Sequence, residues 1–206
     1  MEVLLFTRFP EPGRVKTRLI PTLGETVTAN LHRRMTERMH KLLACGSSEP
    51  QSQWQGRICY TGGSLAMMQS WLGDALPFEE QEPGDLGQRI YSAMAASFQR
   101  GNTKVVVIGS DCPDLSTKHL NEACVALEQL SMVIGPATDG GYYLLGLRDQ
   151  VTPTLFENIA WGNESVFQQT LDRAKQTAQS VALLDPLQDV DLPADLEIAR
   201  RCGLLG

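Results

Sequence analysis

The sequence predicts an α/β protein, a three-layer α/β/α sandwich in which helices cover both faces of a mostly parallel, mixed sheet. The main observation is that strand-like segments alternate along the chain with segments of helical periodicity. In addition, Val105–Ile108 is apolar at every position, as expected for a strand covered on both faces. At 206 residues, the chain is expected to form one domain over residues 1–206.

The strands are expected at 3–7, 56–60, 77–79, 104–109, 131–135, 142–147 and 181–184. The helices are expected at 24–45, 64–72, 86–100, 117–130, 164–177 and 193–202. The first of these helices has an apolar stripe along one face, formed by Val27, Leu31, Met35 and Leu42. Residues 46–55 are rich in Ser, Gln and turn-forming residues and are expected to form a surface loop.

The composition favours a globular protein and argues against two classes of partner. Apolar residues make up 42% of the chain and charged residues 20%, which is typical of a folded domain. The net charge of −6 makes nucleic acid a poor candidate, and no apolar run of membrane-spanning length is present. The first residues lack the features of a signal peptide, and the five widely spaced cysteines are typical of free thiols. A cytoplasmic protein is therefore expected.

Cations gather directly after the first predicted strand, although the chain as a whole is acidic. The loop contains the turn-forming Gly13 and four basic residues: Arg8, Arg14, Lys16 and Arg18. The last three occupy alternate positions, so in an extended loop they would point the same way. Three such cations can bind a diphosphate, and backbone amides at the glycine turn can add contacts. We therefore expect a phosphate-binding loop, with a solvated basic loop as the alternative.

Single aspartates near strand ends and helix starts suggest a divalent metal. Asp111 follows the strand at 104–109 through Gly109 and Ser110, so the sequence places Ser110 and Asp111 at a strand end, where α/β proteins bind ligands. Carboxylates at such a position suit Mg²⁺ or Mn²⁺, whereas the alternative role of Asp111 is an Asx turn. Asp191 precedes the last helix, where it either caps the helix or provides the second metal ligand.

A third predicted strand end carries Asp139, Gly140 and Gly141. Paired glycines let the backbone approach a ligand closely. Asp139 is expected to bind an acceptor hydroxyl, to act as a base, or only to initiate the turn. The pattern leaves these three roles open.

Two further segments have both a functional and a structural interpretation. Gly87 and Gln88 open a predicted helix, where they either contact a nucleobase or ribose or form an ordinary cap and first turn. Trp161 precedes another helix and either stacks on a ligand as part of a lid or packs within its loop. The sequence does not separate these interpretations.

Taken together, these segments resemble a bacterial family of GT-A-type proteins assigned as glycosyltransferases or nucleotide-diphospho-sugar transferases. The resemblance covers nearly the whole chain and is carried by residues 9–19, 84–89, 109–115, 135–146 and 189–196. More distantly, the chain is similar to 2-phospholactate and molybdenum-cofactor guanylyltransferases and to sugar-nucleotide cytidylyltransferases. Those enzymes share a basic loop after the first strand, a metal-binding aspartate that matches Asp111, and an aspartate in a Val-Asp-x-Pro-x-Asp-Leu segment that matches Asp191.

The resemblance implies a GT-A-like fold and a transferase that uses Mg²⁺ or Mn²⁺ and a nucleotide-activated donor, with a nucleotide sugar as the first hypothesis. One alternative is a nucleotidyltransferase that joins an NTP to a phosphorylated acceptor, and another is a non-catalytic nucleotide-binding protein. The chain departs from the nucleotidyltransferases because it lacks their glycine-rich loop. It departs from most glycosyltransferases because they carry Asp-x-Asp after the middle strand, whereas its own Asp-x-Asp pair is C-terminal, at 189 and 191. Asp111, Asp139 and Lys16 are the candidate catalytic residues. The acceptor and a homo-oligomeric state stay open.

Overall fold

The computed structural model describes residues 1–48 and 53–205. Within them the strands are β1 (Glu2–Arg8), β2 (Gln55–Thr61), β3 (Phe78–Glu80), β4 (Lys104–Gly109), β5 (Met132–Pro136), β6 (Tyr142–Arg148) and β7 (Val181–Leu183). The α-helices are α1 (Ile20–Leu23), α2 (Glu25–Ser48), α3 (Leu65–Leu72), α4 (Leu86–Gln99), α5 (Thr117–Gln129), α6 (Val166–Gln176) and α7 (Leu196–Arg201). None of these helices has the length and hydropathy needed to cross a membrane.

The strands of the described chain form one mixed sheet in the order β3-β2-β1-β4-β6-β5-β7. β6 runs antiparallel to its neighbours β4 and β5, and the other pairs are parallel. The five residues between β5 and β6 are too few for a parallel crossover, so these strands form a hairpin. The chain leaves β1 toward β2 on one side, and β4 begins the other side of the sheet. β1 and β4 therefore flank the topological switch point, where α/β proteins bind ligands.

Apolar side chains fill the space on both faces of the sheet, because successive strand residues point to opposite faces. In β4, Val106 and Ile108 pack with residues of α2, α3 and α5, whereas Val105 and Val107 pack with residues of α4 and α6. The predicted three-layer α/β/α architecture is thus confirmed. A further apolar cluster joins α2 to the C-terminal segment through Leu19, Leu31, Met35, Val190 and Leu196.

The predicted strands and helices are present, with shifted ends. The first long helix continues to Ser48, and the helix expected from residue 164 begins at Val166. The loop expected at 46–55 is correspondingly shorter, and its residues 49–52 lie outside the described residues. The loop after β1 also contains helical structure that was not expected, a 3-10 turn at Thr17–Leu19 followed by α1. Pro21 in the first turn of α1 and Gly24 with φ 76° at its end explain why this helix is short.

Candidate active site

A cleft of about 660 Å³ opens at the carboxyl ends of β1 and β4, at the topological switch point. Its lining includes nine of the predicted site residues: Arg8, Lys16, Arg18, Ser110, Asp111, Asp139, Gly141, Trp161 and Asp191. The other predicted site residues, all in the described part of the chain, lie outside this lining: Gly13, Arg14, Gly87, Gln88 and Gly140.

Lys16 and Asp111 form an ion pair in this cleft. The Lys16 Nζ atom lies 3.0 Å from Asp111 Oδ1, and only 4% of the Lys16 side chain is exposed, against 50% for Asp111. Lys16 Nζ also donates a hydrogen bond to the carbonyl of Val190. Burial alone would raise the pKa of the Asp111 carboxyl, but the Lys16 ammonium and His32 outweigh it and hold this pKa below its usual value. Asp111 is therefore a carboxylate at neutral pH.

The C-terminal segment brings further carboxylates into the cleft. Val190 is fully buried, and its backbone N–H donates to the carbonyl of Asp111 at 2.9 Å. Because extended residues alternate in direction, Asp189 and Asp191 point away from the core and line the cleft. Asp191 Oδ2 accepts a hydrogen bond from Arg18 Nη1 at 2.8 Å. The segment is thus attached to the β4 loop by its backbone and to the β1 loop by its side chains.

Asp191 does not make the capping contact that was left open for it. Asp195 Oδ2 accepts hydrogen bonds from the backbone N–H groups of Asp191 and Leu192, at 3.1 and 2.7 Å. The Asp191 side chain is engaged with Arg18 instead. Asp191 therefore presents its carboxylate to the cleft and not to the helix start.

Asp189 and His32 line the cleft but were missing from the predicted site. Burial, followed by the nearby Asp139 carboxylate, raises the pKa of Asp189 to about 6. His32 lies buried on α2, and its Nε2–H donates to the carbonyl of Arg8 at 2.9 Å. The Asp-x-Asp pattern at 189 and 191 was a signal for Asp189, whereas His32 had no signal beyond its place on a helix.

The basic loop is not extended, so the condition under which its three cations would point the same way is not met. Lys16 adopts a left-handed conformation with φ 43°, and a 3-10 turn follows it, so the three cations do not share one face. Arg14 Nε pairs with Glu11 at 3.3 Å, and its side chain is 63% exposed. Gly13, with φ 78°, makes the turn before it. The solvated alternative therefore describes Arg14, whereas Lys16 and Arg18 face the cleft together with Arg8.

At the β5–β6 turn, the structure gives both the aspartate and the first glycine a structural contact. The backbone N–H of Gly141 donates to Asp139 Oδ1 at 2.8 Å, which is the turn-initiating role. Gly140 has φ 91°, and its carbonyl accepts a hydrogen bond from the N–H of Phe167 at 2.8 Å. The close backbone approach at Gly140 is thus to the start of α6 and to Glu164 in the loop before it. Asp139 and Gly141 also line the cleft.

The start of α4 has the ordinary cap that the sequence left open. Gln88 N donates to Asp85 Oδ1 and Asp85 N donates to Gln88 Oε1, both at 2.9 Å, which is a reciprocal capping box. Gly87 makes room for a neighbouring side chain, because a Cβ atom there would lie 2.6 Å from the indole of Trp161. Trp161 therefore packs against α4 and lines the cleft at the same time.

The donor chemistry of the cleft fits a divalent cation that is shared with a substrate. The described residues contain no group of three or more His, Cys, Asp or Glu arranged to hold a metal. Asp111 and Asp191 both line the cleft, on segments that the Val190–Asp111 backbone hydrogen bond joins. Mg²⁺ is commonly held by one or two carboxylates together with substrate phosphates. Asp111 and Asp191 match this class of site.

The sequence matches the model of one protein family. The family described as "Uncharacterized protein conserved in bacteria (DUF2064)" matches residues 46–163, which is more than half of the chain. The chain belongs to this family. No curated protein matches the sequence of this DUF2064 member.

Solved structures agree with this assignment. A candidate nucleotide-diphospho-sugar transferase from Desulfovibrio desulfuricans G20 is 36% identical, with a TM-score of 0.89 over 97% of this chain and 86% of that chain. CMP:2-keto-3-deoxy-manno-octonic acid synthetase complexed with CTP has a TM-score of 0.57 at 9% identity, over 97% and 96% of the two chains. The Mycobacterium tuberculosis H37Rv protein Rv0371C in complex with manganese has a TM-score of 0.51 at 14% identity, over 96% of each chain.

The first of these structures confirms the expected resemblance to nucleotide-diphospho-sugar transferases. It also confirms the fold class, because it aligns with nearly the whole DUF2064 chain. The other two structures show that the same fold extends to proteins with low sequence identity. The first two relatives are described as a transferase and a synthetase that was solved with a nucleoside triphosphate.

Proposed function

We propose that this protein is a metal-dependent transferase that uses a nucleotide-activated donor, and that the donor is a nucleotide sugar. The observation that carries the proposal is the meeting of two cations from the β1 loop with two carboxylates in one cleft. Lys16 faces Asp111, and Arg18 faces Asp191. Such a cleft offers positive charge to a diphosphate and carboxylate oxygens to a divalent cation. The cleft also lies at the topological switch point, which is where this class of sheet binds nucleotides.

In this function the β1 loop binds the diphosphate of the donor. The guanidinium of Arg18 can contact phosphate oxygens in a bidentate way, whereas the ammonium of Lys16 acts as a point charge. Asp111 and Asp191 would hold Mg²⁺ or Mn²⁺. The metal would stabilise the negative charge that develops on the leaving diphosphate.

The acceptor side of the cleft is acidic. Asp139 lies at the β5–β6 turn near Asp189, whose pKa is raised first by burial and then by the Asp139 carboxylate. We place the acceptor hydroxyl beside these two carboxylates, since a carboxylate within hydrogen-bond reach can orient a hydroxyl or accept its proton. Asp139 is the residue that we propose contacts the hydroxyl of the acceptor substrate.

The relatives support a nucleotide-dependent transferase from two directions. The Desulfovibrio desulfuricans relative is described as a candidate nucleotide-diphospho-sugar transferase and shares 36% of its sequence with this chain. The synthetase that shares the fold was solved with CTP, which favours nucleotidyl transfer as the second candidate. The absence of a Leu-Ala-Gly-Gly type loop after β1, where this sequence has Thr7-Arg8-Phe9-Pro10, argues for the nucleotide sugar first.

A thermal-shift panel tests the donor. It would compare UDP-, GDP-, ADP- and CMP-sugars with the corresponding NTPs, each with and without MnCl₂. A ligand at 100 times its Kd should raise Tm by about 5–10 °C, because ligand that binds only the folded state stabilises it. The increase in the shift that Mn²⁺ causes should require Asp111, and this increase should disappear in Asp111→Asn. Asp172→Asn is the matched control, because Asp172 is an exposed aspartate on α6 outside the cleft.

The products of turnover separate the candidate functions. Release of a nucleoside diphosphate from a nucleotide sugar supports the proposal. Release of pyrophosphate from an NTP instead promotes the nucleotidyltransferase. Metal-dependent binding without product from any donor, tested with a broad acceptor pool, would leave a non-catalytic nucleotide-binding protein.

A further inference from the structure

The two carboxylates that the proposed function assigns to the metal each face a cation of the β1 loop. Lys16 Nζ is 3.0 Å from Asp111 Oδ1, and Arg18 Nη1 is 2.8 Å from Asp191 Oδ2. An ammonium in contact with Asp111 Oδ1 occupies the space and neutralises the charge that a metal ion would use. The diphosphate needs the same cations. Binding of the metal and binding of the diphosphate therefore both depend on these ion pairs.

The two pairs differ in how firmly they are held. Only 4% of the Lys16 side chain is exposed, and a buried ammonium without partners is strongly unfavourable. Its partners are the Asp111 carboxylate and the Val190 carbonyl. By contrast, 62% of the Arg18 side chain is exposed, and pairs in solvent contribute little. Lys16 is therefore the cation whose position controls access to Asp111.

The backbone at Lys16 also indicates a position that is held by its contacts. Lys16 has φ 43° and ψ 46°, a left-handed conformation that few residues other than glycine adopt. Such conformations persist where the surroundings stabilise them, and they cluster at sites that switch or bind ligands. The contacts that the Lys16 side chain makes in this conformation are those with Asp111 and Val190.

We propose that Lys16 is a displaceable counter-ion: in the ligand-free protein its ammonium occupies the place at Asp111 that a divalent cation takes in the complex, and it turns to the diphosphate when both bind. This inference rests on the proposed function and adds to it a coupling between metal and diphosphate. Metal alone must leave the buried ammonium without Asp111. Diphosphate alone must leave Asp111 without its counter-ion beside a new negative charge. When both bind, each displaced partner is replaced, so each ligand strengthens the binding of the other.

Binding of Mn²⁺ alone tests the first half of the exchange. Free Mn²⁺ is measured by electron paramagnetic resonance during titration of the wild type and of Lys16→Met, without any nucleotide. Lys16→Met should bind Mn²⁺ about tenfold more tightly, because the ion no longer competes with a charge-assisted contact at Asp111. Lys175→Met is the matched control, since it removes a lysine that pairs with Asp172 on α6, and its Mn²⁺ affinity should equal that of the wild type.

Binding of inorganic pyrophosphate in EDTA tests the second half of the exchange. Calorimetric titration of Asp111→Asn should give a pyrophosphate affinity about tenfold above that of the wild type, because Lys16 is released from its carboxylate. Removal of a nearby negative charge would also favour pyrophosphate. The double variant Lys16→Met with Asp111→Asn separates the two causes, because the exchange predicts that most of the gain disappears in it.

The outcomes distinguish failure of the counter-ion exchange from failure of the proposed function on which it rests. The exchange is overturned if Lys16→Met binds Mn²⁺ no more tightly than the wild type, or if Asp111→Asn keeps its pyrophosphate gain in the double variant. In either case, Mn²⁺-dependent binding of nucleotides by the wild type would leave the proposed function standing. If the wild type binds neither Mn²⁺ nor pyrophosphate, alone or together, both the proposed function and the exchange are wrong.

Discussion

The indole of Trp161 lies against the backbone of Gly87, so closely that a Cβ atom at Gly87 would approach the ring to 2.6 Å. Gly87 is the second residue of α4, and Trp161 lines the cleft between the sheet and the loop before α6. The Trp161 ring also meets Tyr142 edge to face, with centroids 6.4 Å apart. Because residue 87 is glycine and has no side chain, α4 can pack against the indole that forms one wall of the candidate active site.

Gly87→Ala should move Trp161 without unfolding the protein. Alanine is favoured over glycine in a helix by about 1 kcal/mol, but here its methyl group displaces the indole. We expect these effects to offset each other in the wild-type background. In a Trp161→Ala background the same substitution should raise the free energy of unfolding by about 1 kcal/mol. Urea unfolding of the four proteins measures this coupling, and equal effects of Gly87→Ala in both backgrounds would contradict the packing argument.

Gly140→Ala should destabilise the protein through a backbone clash. Gly140 has φ 91°, and a Cβ atom there would lie 2.0 Å from the carbonyl oxygen of Glu164. We expect a loss of about 3 kcal/mol or more, since the left-handed conformation costs about 1–2 kcal/mol and the clash adds to it. Gly162→Ala is the matched control: its φ is 85°, but a Cβ atom there meets no described atom within 4 Å. Similar losses in the two variants, measured by urea unfolding, would show that the clash is relieved.

Glu2 should make stability depend on pH. It lies buried at the start of β1, where it pairs with Arg57 and Arg100 at 2.9 Å each. Burial alone would raise its pKa, but hydrogen bonds from Ser97 and the two arginines hold the pKa below the ordinary value of 4.5. A carboxyl whose pKa is lowered by folding stabilises the protein above its ordinary pKa. This contribution is lost as the pH falls from 4.5 through the pKa in the folded protein.

Glu2→Gln should therefore lower the free energy of unfolding by about 2 kcal/mol at pH 7, because it leaves the guanidinium groups of Arg57 and Arg100 with fewer partners. The difference from the wild type should shrink as the pH falls below 4.5. Urea unfolding at pH 7 and at pH 3.5 measures it. Glu197→Gln is the control, since Glu197 is 83% exposed and its pair with Arg200 contributes little. A constant difference at both pH values would contradict the assignment.

The cysteine thiols should differ in reactivity according to burial. Cys45 is exposed, whereas Cys59, Cys112 and Cys124 are buried. Burial raises the pKa of the Cys59 and Cys112 thiols, so their reactive thiolate forms are disfavoured. In the native protein, iodoacetamide at pH 8 should modify Cys45 first and leave the buried three unmodified until urea is added. Peptide mass spectrometry identifies the modified cysteines. Modification of Cys59 or Cys112 in the native protein would contradict their burial.

The sheet and helices could be predicted because their signals are local. The apolar run in β4 and the stripe on α2 each arise from a period within one segment. The loop after β1 could not be predicted in the same way. Its alternating cations would point the same way only in an extended loop, but the left-handed Lys16 and the turn at Thr17–Leu19 redirect them. Turn geometry depends on contacts with distant residues, and the pattern of three cations carries no information about those contacts.

The candidate site was predictable in its chemistry and only partly in its membership. Asp111, Lys16 and Arg18 were expected near an anionic ligand because they follow strand ends, and all three line the cleft. Asp189 was missed, since its distance from Asp139 depends on where the C-terminal segment crosses the sheet. Part of that path is a parallel bridge between Ala137 and Leu187, which lie far apart in the sequence.

By itself, the sequence determined the α/β class, the positions of the strands and the kinds of groups at their carboxyl ends. Periodicity and residue type are properties of short segments, so these features needed no knowledge of the fold. The tertiary structure alone decided that Lys16 faces Asp111 and that Arg18 faces Asp191. The partners in these pairs are far apart in the chain, and the buried Val190 joins their segments. Packing of that apolar side chain, and not any local pattern, brings the charges of the cleft together.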